Sequence, residues 1–158
     1  MTVRSDPRAD TPRFLLCEDG DEYRERFERF LGARFRFIQS KHGAELLSHL
    51  QDYQPIAGVL LDLDFRRTDD SLLVGGDGRP FSGTSREERA RIVANQGIAI
   101  LASIREKHWQ TPVLLFADIH DTRQRTYLER AFAPVELIPS HVGLNELQRR
   151  LDDLSIIS

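Results

Sequence analysis

A single cysteine and only two lysines, Lys41 and Lys107, stand among 158 residues. Cys17 has no partner for an internal disulfide, so the chain cannot be a disulfide-stapled secreted scaffold. Its place inside the apolar run 14–17 predicts a buried structural thiol. No run of apolar residues reaches the length of a bilayer span, and residues 1–12 lack the apolar stretch of a signal peptide. A cytoplasmic protein is expected. No charge of one sign dominates, because 22 basic and 25 acidic residues leave a net charge of −3. That balance excludes a strong pull toward nucleic acid or anionic membrane and leaves proteins and small ions as partners. His42, His49, His108, His120 and His141 are scattered without metal-ligand spacing and read as surface or helix-end residues.

What is present is a regular alternation. Residues 1–12 are polar, carry Pro7 and Pro12, and read as a disordered leader; a single domain over 13–158 follows. Short apolar runs predict strands over 14–17, 35–38, 57–61, 113–116 and 135–138. Amphipathic segments between and after them predict helices over 22–31, 43–50, 98–104, 122–132 and 144–154. The first of these helices is expected to present Tyr23, Phe27, Phe30 and Leu31 on one face. Five βα units in succession argue for an α/β fold with a five-stranded parallel sheet and helices on both faces. The third strand is apolar throughout, as a central parallel strand should be.

Acidic residues sit where such a sheet is reactive. The first strand runs into Glu18-Asp19 and the third into Asp62. Carboxyl ends of parallel strands form the binding edge, so three carboxylates there make a candidate site for a hard cation such as Mg²⁺. The connection after Asp62 is too long for an ordinary strand-to-helix loop, which spans about 2 to 6 residues. An insertion over about 65–96 is expected between the third strand and the third helix. It carries Arg66, Arg67 and the run Gly75-Gly76-Asp77-Gly78-Arg79-Pro80. Thr84 and Ser85, followed by Glu87 and Glu88, have capping-box spacing and predict a helix that continues through Gly97 to 104. Arg86, Arg89 and Arg91 on that helix are expected to face solvent. The glycines lack the Gly-Lys-Ser/Thr ending of a nucleotide-binding loop and follow no strand directly, so nucleotide binding is not expected.

The order of the five units, the acidic pair after the first strand and the aspartate after the third resemble the receiver domain of two-component response regulators. The resemblance spans nearly all of 13–154. It rests further on Val59-Leu60-Leu61-Asp62-Leu63, on Gly97-Ile98-Ala99-Ile100-Leu101 with Ile104-Arg105, and on Thr111-Pro112-Val113-Leu114-Leu115. It implies a CheY-like, flavodoxin-like (βα)5 fold. It implies Asp62 as phosphoacceptor, with Mg²⁺ held by Glu18, Asp19, Asp62 and the backbone carbonyl of Asp64. The chemistry fits the residue types: clustered carboxylates repel, and a divalent cation permits their ionisation and bridges to phosphoryl oxygens.

Two positions depart from that family pattern. A hydroxyl residue ordinarily ends the fourth strand and bonds a phosphoryl oxygen, and a lysine ordinarily precedes the proline after the fifth. Here Phe116 and Ile138 occupy those places. Arg66, Arg67 or Arg79 are the candidates to supply the missing cation. The resemblance then implies an atypical receiver or pseudo-receiver, not an enzyme beyond accepting a phosphoryl group on Asp62. As a stand-alone unit it would act through a protein partner, either a kinase or a downstream effector. The family commonly uses the face of helix 4, strand 5 and helix 5, which implies a partner or homodimer surface between Thr122 and Leu154. Asp62-Leu63-Asp64 also matches the start of haloacid-dehalogenase-like phosphatases. That reading needs a lysine and an acidic pair on strand ends, whereas Lys107 and Asp152-Asp153 fall in predicted helices.

Overall fold

A computed structural model describes residues 11–76, 79–83 and 85–157. The leader expected over 1–12 lies outside the described residues except for Thr11 and Pro12, and the Pro12 carbonyl already accepts from Arg36 at the start of the second strand. The strands are β1 (Arg13–Cys17), β2 (Arg36–Ser40), β3 (Gly58–Asp62), β4 (Val113–Phe116) and β5 (Val135–Ile138). The helices are α1 (Glu22–Leu31), α2 (Gly43–Asp52), α3 (Arg86–Ala94), α4 (Gln96–Glu106), α5 (Thr122–Ala131) and α6 (Leu144–Ile157). All strand pairs are parallel and the order is β2-β1-β3-β4-β5. The chain reverses direction of strand addition after β2, so β1 and β3 lie side by side at the point where such sheets bind ligands.

Period-two alternation divides the strands between two cores. Phe14, Leu16, Leu60, Leu114, Phe116 and Ile138 point to one face and pack with Phe27 and Leu31 of α1 and Leu147 and Leu151 of α6. Leu15, Cys17, Val59, Leu61, Val113, Leu115 and Leu137 point to the other and pack with helices α2, α4 and α5. Burial of both faces is why these strands are nearly continuously apolar. Tyr23, Phe27 and Leu31 do face the core from α1, but Phe30 is 57% exposed and lies under the Arg29 guanidinium. Phe30 directly precedes Leu31 and so lies about 100° from it around the helix, past the edge of the buried stripe.

The insertion is a substructure of its own between β3 and α4. It contains a short 3-10 turn (Asp70–Leu72), an antiparallel bridge between Val74 and Pro80, and α3. Ser85 caps α3 by accepting from the Glu88 N–H, as the spacing predicts, and Arg86, Arg89 and Arg91 are exposed. The single helix expected through Gly97 is instead two helices, broken at Asn95. Helix α4 must start against the end of β3: Gly97 N–H donates to Leu63 O at 2.9 Å, and a Cβ on Gly97 would stand 2.2 Å from Asp62 O. Gln96 fixes the insertion there. It is 1% exposed, accepts from Val74 N–H at 2.7 Å and donates to Val74 O at 2.9 Å, pairing both main-chain groups of that residue. Nothing in the sequence pattern marks Gln96 for this, since a glutamine at a helix start ordinarily faces water.

Candidate functional site

The carboxyl ends of β1 and β3, the start of α1 and the first turn after β3 enclose a cavity of about 330 Å³. Its lining is Glu18, Asp19, Glu22, Tyr23, Asp62, Asp64, Arg66 and Arg67. The expected acidic residues and two of the three candidate arginines are therefore brought together. Arg79 stands beside the Val74–Pro80 bridge of the insertion and is not part of the lining. Glu22 and Tyr23 were not expected in the site. Their signal was their position directly after β1, where the first turn of a helix overhangs the sheet edge.

Each carboxylate has a distinct set of partners. Glu18 is 1% exposed, and its two oxygens accept from Tyr23 N–H at 3.1 Å and Arg24 N–H at 2.8 Å. It thus caps α1, whose first N–H groups have no partner within the helix. Burial nevertheless pushes its carboxyl up to about 7, the two N–H groups pulling the other way. Asp62, the last residue of β3, accepts from Leu63 N–H at 2.8 Å. Burial is the larger cause that raises it to about 6, and Asp19, Asp64 and Glu22 add repulsion. Asp19 accepts from the main-chain N–H of Arg67 at 2.6 Å. Asp64 Oδ2 pairs with Arg66 Nε at 2.7 Å, while its Oδ1 is buried without a partner. The Arg67 guanidinium donates to Glu22 Oε1 at 2.7 Å and draws that carboxyl down to about 2.

These placements bear on the expected Mg²⁺, which requires near-octahedral oxygen ligands at about 2.0 to 2.1 Å. Glu18 uses both oxygens on α1, and Asp19 and Asp62 each give one to a main-chain N–H. Among the described residues no three His, Cys, Asp or Glu side chains are grouped so as to hold a metal ion. As placed, the acids do not fit Mg²⁺.

Phe116 and Ile138 turn away from the cavity into the core. Phe116 pairs in register with Asp62, is 1% exposed and stacks on the Tyr23 ring at 4.8 Å between centroids, with Phe27 at 5.9 Å. Ile138, its neighbour on β5, is fully buried. Lys41 serves the outside of the site: its Nζ donates to Gly20 O and Asp21 Oδ1, both at 2.7 Å, and pins the β1–α1 loop to β2. On the far side, Asp118 accepts from the hydroxyl and N–H of Ser140, tying the loop after β4 to the loop after β5. Lys107 caps the end of α4 and Asp152-Asp153 lie in α6, so the constellation of a phosphatase is not assembled.

The two raised carboxyls have a stability consequence. A carboxyl whose folded-state value exceeds its unfolded one binds protons more tightly when folded, so its contribution is fully favourable only in acid. Stability should fall as pH rises from about 4 to about 7. Asp62→Asn keeps the acceptor for Leu63 but removes the charge. With water screening the open side of the group, the variant should be more stable than wild type by about 1 kcal/mol near neutrality. It should gain little in acid, and urea unfolding at both pH values checks the difference.

No protein-family model matches the sequence, and no curated protein matches it. Solved structures do match in fold. The receiver domain of the Francisella response regulator 1452 superposes with a TM-score of 0.64 at 14% identity, over 93% of this chain and 98% of that one. The receiver domain of NtrX from Brucella abortus gives 0.63 at 16% identity, over 92% and 99%. Adenylate cyclase from Rhodopirellula baltica gives 0.63 at 12% identity, over 92% and 88%. Among the described residues no helix is long and apolar enough to cross a membrane. With five parallel strands ordered 2-1-3-4-5 and carboxylates gathered at the β1–β3 edge, the chain has the fold of a response-regulator receiver domain.

Proposed function

We propose that this protein is an atypical receiver in two-component signalling that acts by binding a protein partner, with phosphorylation of Asp62 not required for its output. The observation that carries this reading is the burial of Phe116 and Ile138. The two positions that would offer a hydroxyl and an ammonium to a phosphoryl group on Asp62 instead fill the α1–α6 core. A phosphoryl group adds about −1.5 to −2 charges. Here it would meet Glu18, Asp19 and Asp64, and the cations of the lining are Arg66 and Arg67, already paired with Asp64 and Glu22, rather than a lysine. Losing one oriented stabiliser of developing charge costs about 10² to 10³ in rate, and both usual ones are replaced. A ligand shifts a two-state element only by its differential affinity for the two states. Without a hydroxyl at Phe116, a group on Asp62 has no direct contact with β4 through which to exert one.

The partner is a kinase or a downstream effector, and the surface for it lies between Thr122 and Leu154, where a second copy of the chain is the other candidate. Tyr127 on α5, 63% exposed beside Arg123 and Arg130, supports that placement. The alternative is a Mg²⁺-dependent response regulator phosphorylated on Asp62 by a histidine kinase. What favours it is the cavity itself, which still gathers Glu18, Asp19, Asp62 and Asp64.

One experiment separates the two. The protein is incubated with Mg²⁺ and acetyl phosphate, and its intact mass is measured; in parallel, Asp62→Ala is compared with wild type for capture of the partner. The proposal expects no adduct and unchanged capture. A labile phosphoryl adduct lost in Asp62→Ala, together with lost capture by a folded variant, would establish the alternative.

A further inference from the structure

The two edges of the sheet are not alike. β5 is bracketed by Pro134 and Pro139, and its exposed Glu136 pairs with Arg150, so that edge carries the prolines and charge that discourage a further strand. β2 forms the opposite edge, and no proline lies between Pro12 and Pro55. Arg36 N–H donates to Pro12 O and Ser40 O accepts from Glu18 N–H, which turns the main-chain groups of Arg36, Ile38 and Ser40 toward β1. In a parallel ladder the residues between them point the other way. The N–H and C=O of Phe37 and Gln39 therefore face out of the sheet and have no partner among the described residues. The Phe37 and Ile38 side chains are half-buried, packed on opposite cores. A depression of about 700 Å³ lies beside this edge, lined by Glu28, Gly32, Phe35 and Phe37 among others.

We propose that the β2 edge is a homodimer surface, on which β2 pairs antiparallel with β2 of a second copy of the chain to make one continuous sheet. This surface is separate from the one assigned to the partner between Thr122 and Leu154. A two-fold axis through Ile38 sets Phe37 of each copy opposite Gln39 of the other, so the two residues exchange N–H···O=C bonds and every outward group of the strand is paired. Moving the axis to Phe37 would bring Gln39 opposite Phe35, whose N–H is already given to Leu31 O. In the register about Ile38, that side chain meets its own copy and Arg36 meets Ser40, so no like charges stand directly opposed. Lys41, next along the strand, is neutralised by Asp21.

The same axis sets α1 antiparallel to its copy. One side of α1 looks over the edge: Asp21, at its head, is reached by Gln39 and Lys41, and Glu28 lines the depression with Arg36 and Phe37. Arg24 lies between them and makes a loose 3.5 Å pair with Glu28. Antiparallel stripes bring Arg24 of one copy toward Glu28 of the other, and this pairing of opposite charges favours a second copy over a foreign strand. A pairing of five-residue strands buries less than the ~1,600 Å² of a standard interface, so the dissociation constant is expected on the order of micromolar.

The test is sedimentation equilibrium of the full chain at concentrations on either side of that value, with amide exchange followed by NMR. Wild type is expected to pass from monomer to dimer, and exchange of the Phe37 and Gln39 amides should slow as the dimer forms. Gln39→Pro removes an outward N–H that β1 does not use, and Lys41 still holds Gly20 O and Asp21 when the glutamine side chain is lost. That variant should fold, as circular dichroism shows, and stay monomeric. Arg24→Glu should weaken the dimer by about tenfold. Adding Glu28→Arg to it should restore the dimer, a readout that leaves β2 untouched. A wild type that remains monomeric would overturn the proposal and leave the edge to a foreign strand or to none. So would a dimer that persists in folded Gln39→Pro with exchange at Phe37 and Gln39 unchanged, which would place the contact elsewhere. If Gln39→Pro does not fold, the charge exchange decides alone, and failure of the double variant to recover overturns the proposal.

Discussion

Arg105→Ala should lose about 3 kcal/mol of stability, measured as a lower urea midpoint with an unchanged slope. Arg105 leaves the last turn of α4 and donates to four main-chain carbonyls: Trp109 at 2.7 Å, Thr111 at 2.9 Å, Phe132 at 2.8 Å and Pro134 at 2.7 Å. These carbonyls belong to the end of α4, the approach to β4 and the approach to β5. A single planar guanidinium thus joins three segments at the edge of the sheet opposite the acidic cavity. Each bond from a charged donor contributes about 1.5 to 3 kcal/mol where it is sheltered. Arg105 is only part-buried and its bond to Pro134 O is exposed, so the carbonyls on that side recover hydration and the total stays well below the sum. Arg105→Lys keeps the charge but has no rigid fork and fewer donors. It should recover less than half of the loss.

Arg105 also shows where a single sequence stops being informative. Its place after Ile104 is legible as part of a helix resembling those of receivers, but nothing local says that four carbonyls from three segments converge on it. The strands and the five-unit order were legible, because parallel strands buried on both faces must be apolar at every position and the helices between them must be amphipathic. The joint arrival of Glu18, Asp19 and Asp62 at one sheet edge followed from the same reading. What each carboxylate does there was not legible. Whether Glu18 faces a cation or caps α1 depends on the angle at which the chain enters that helix, which no spacing encodes. The insertion was recognisable by length and glycine content, yet its attachment depends on one buried glutamine and its break at Asn95 on the tight approach of Gly97 to Asp62. The exposed ring of Phe30 makes the same point at smaller scale: periodicity marks a stripe, and only packing decides where the stripe ends.

Phe116→Thr restores the hydroxyl at the end of β4, and it should destabilise the protein without making it a phosphoacceptor. The ring is 1% exposed and packs between Tyr23 and Phe27. Removing a buried phenyl group costs about 3 to 5 kcal/mol, and threonine fills little of the space left. The new hydroxyl would enter an apolar cluster, where a polar group without a partner adds a further penalty. A loss of about 3 kcal/mol or more by urea unfolding is therefore expected. Tyr23 would lose the ring it stacks on and be freer to move at the mouth of the cavity. Ile138 would still stand where an ammonium is needed, and Ile138→Lys alone would bury a charge among Phe14, Leu114 and Leu147. The two positions are thus held by core packing, and neither can revert singly at low cost. A Phe116→Thr variant as stable as wild type that gained a labile phosphoryl adduct with Mg²⁺ and acetyl phosphate would show the opposite: a phosphoacceptor site merely covered by an aromatic ring. Loss of stability with no adduct would instead mean that the α1–α6 core has absorbed the positions on which phosphate sensing depends, which is the physical basis for assigning output to the protein surface.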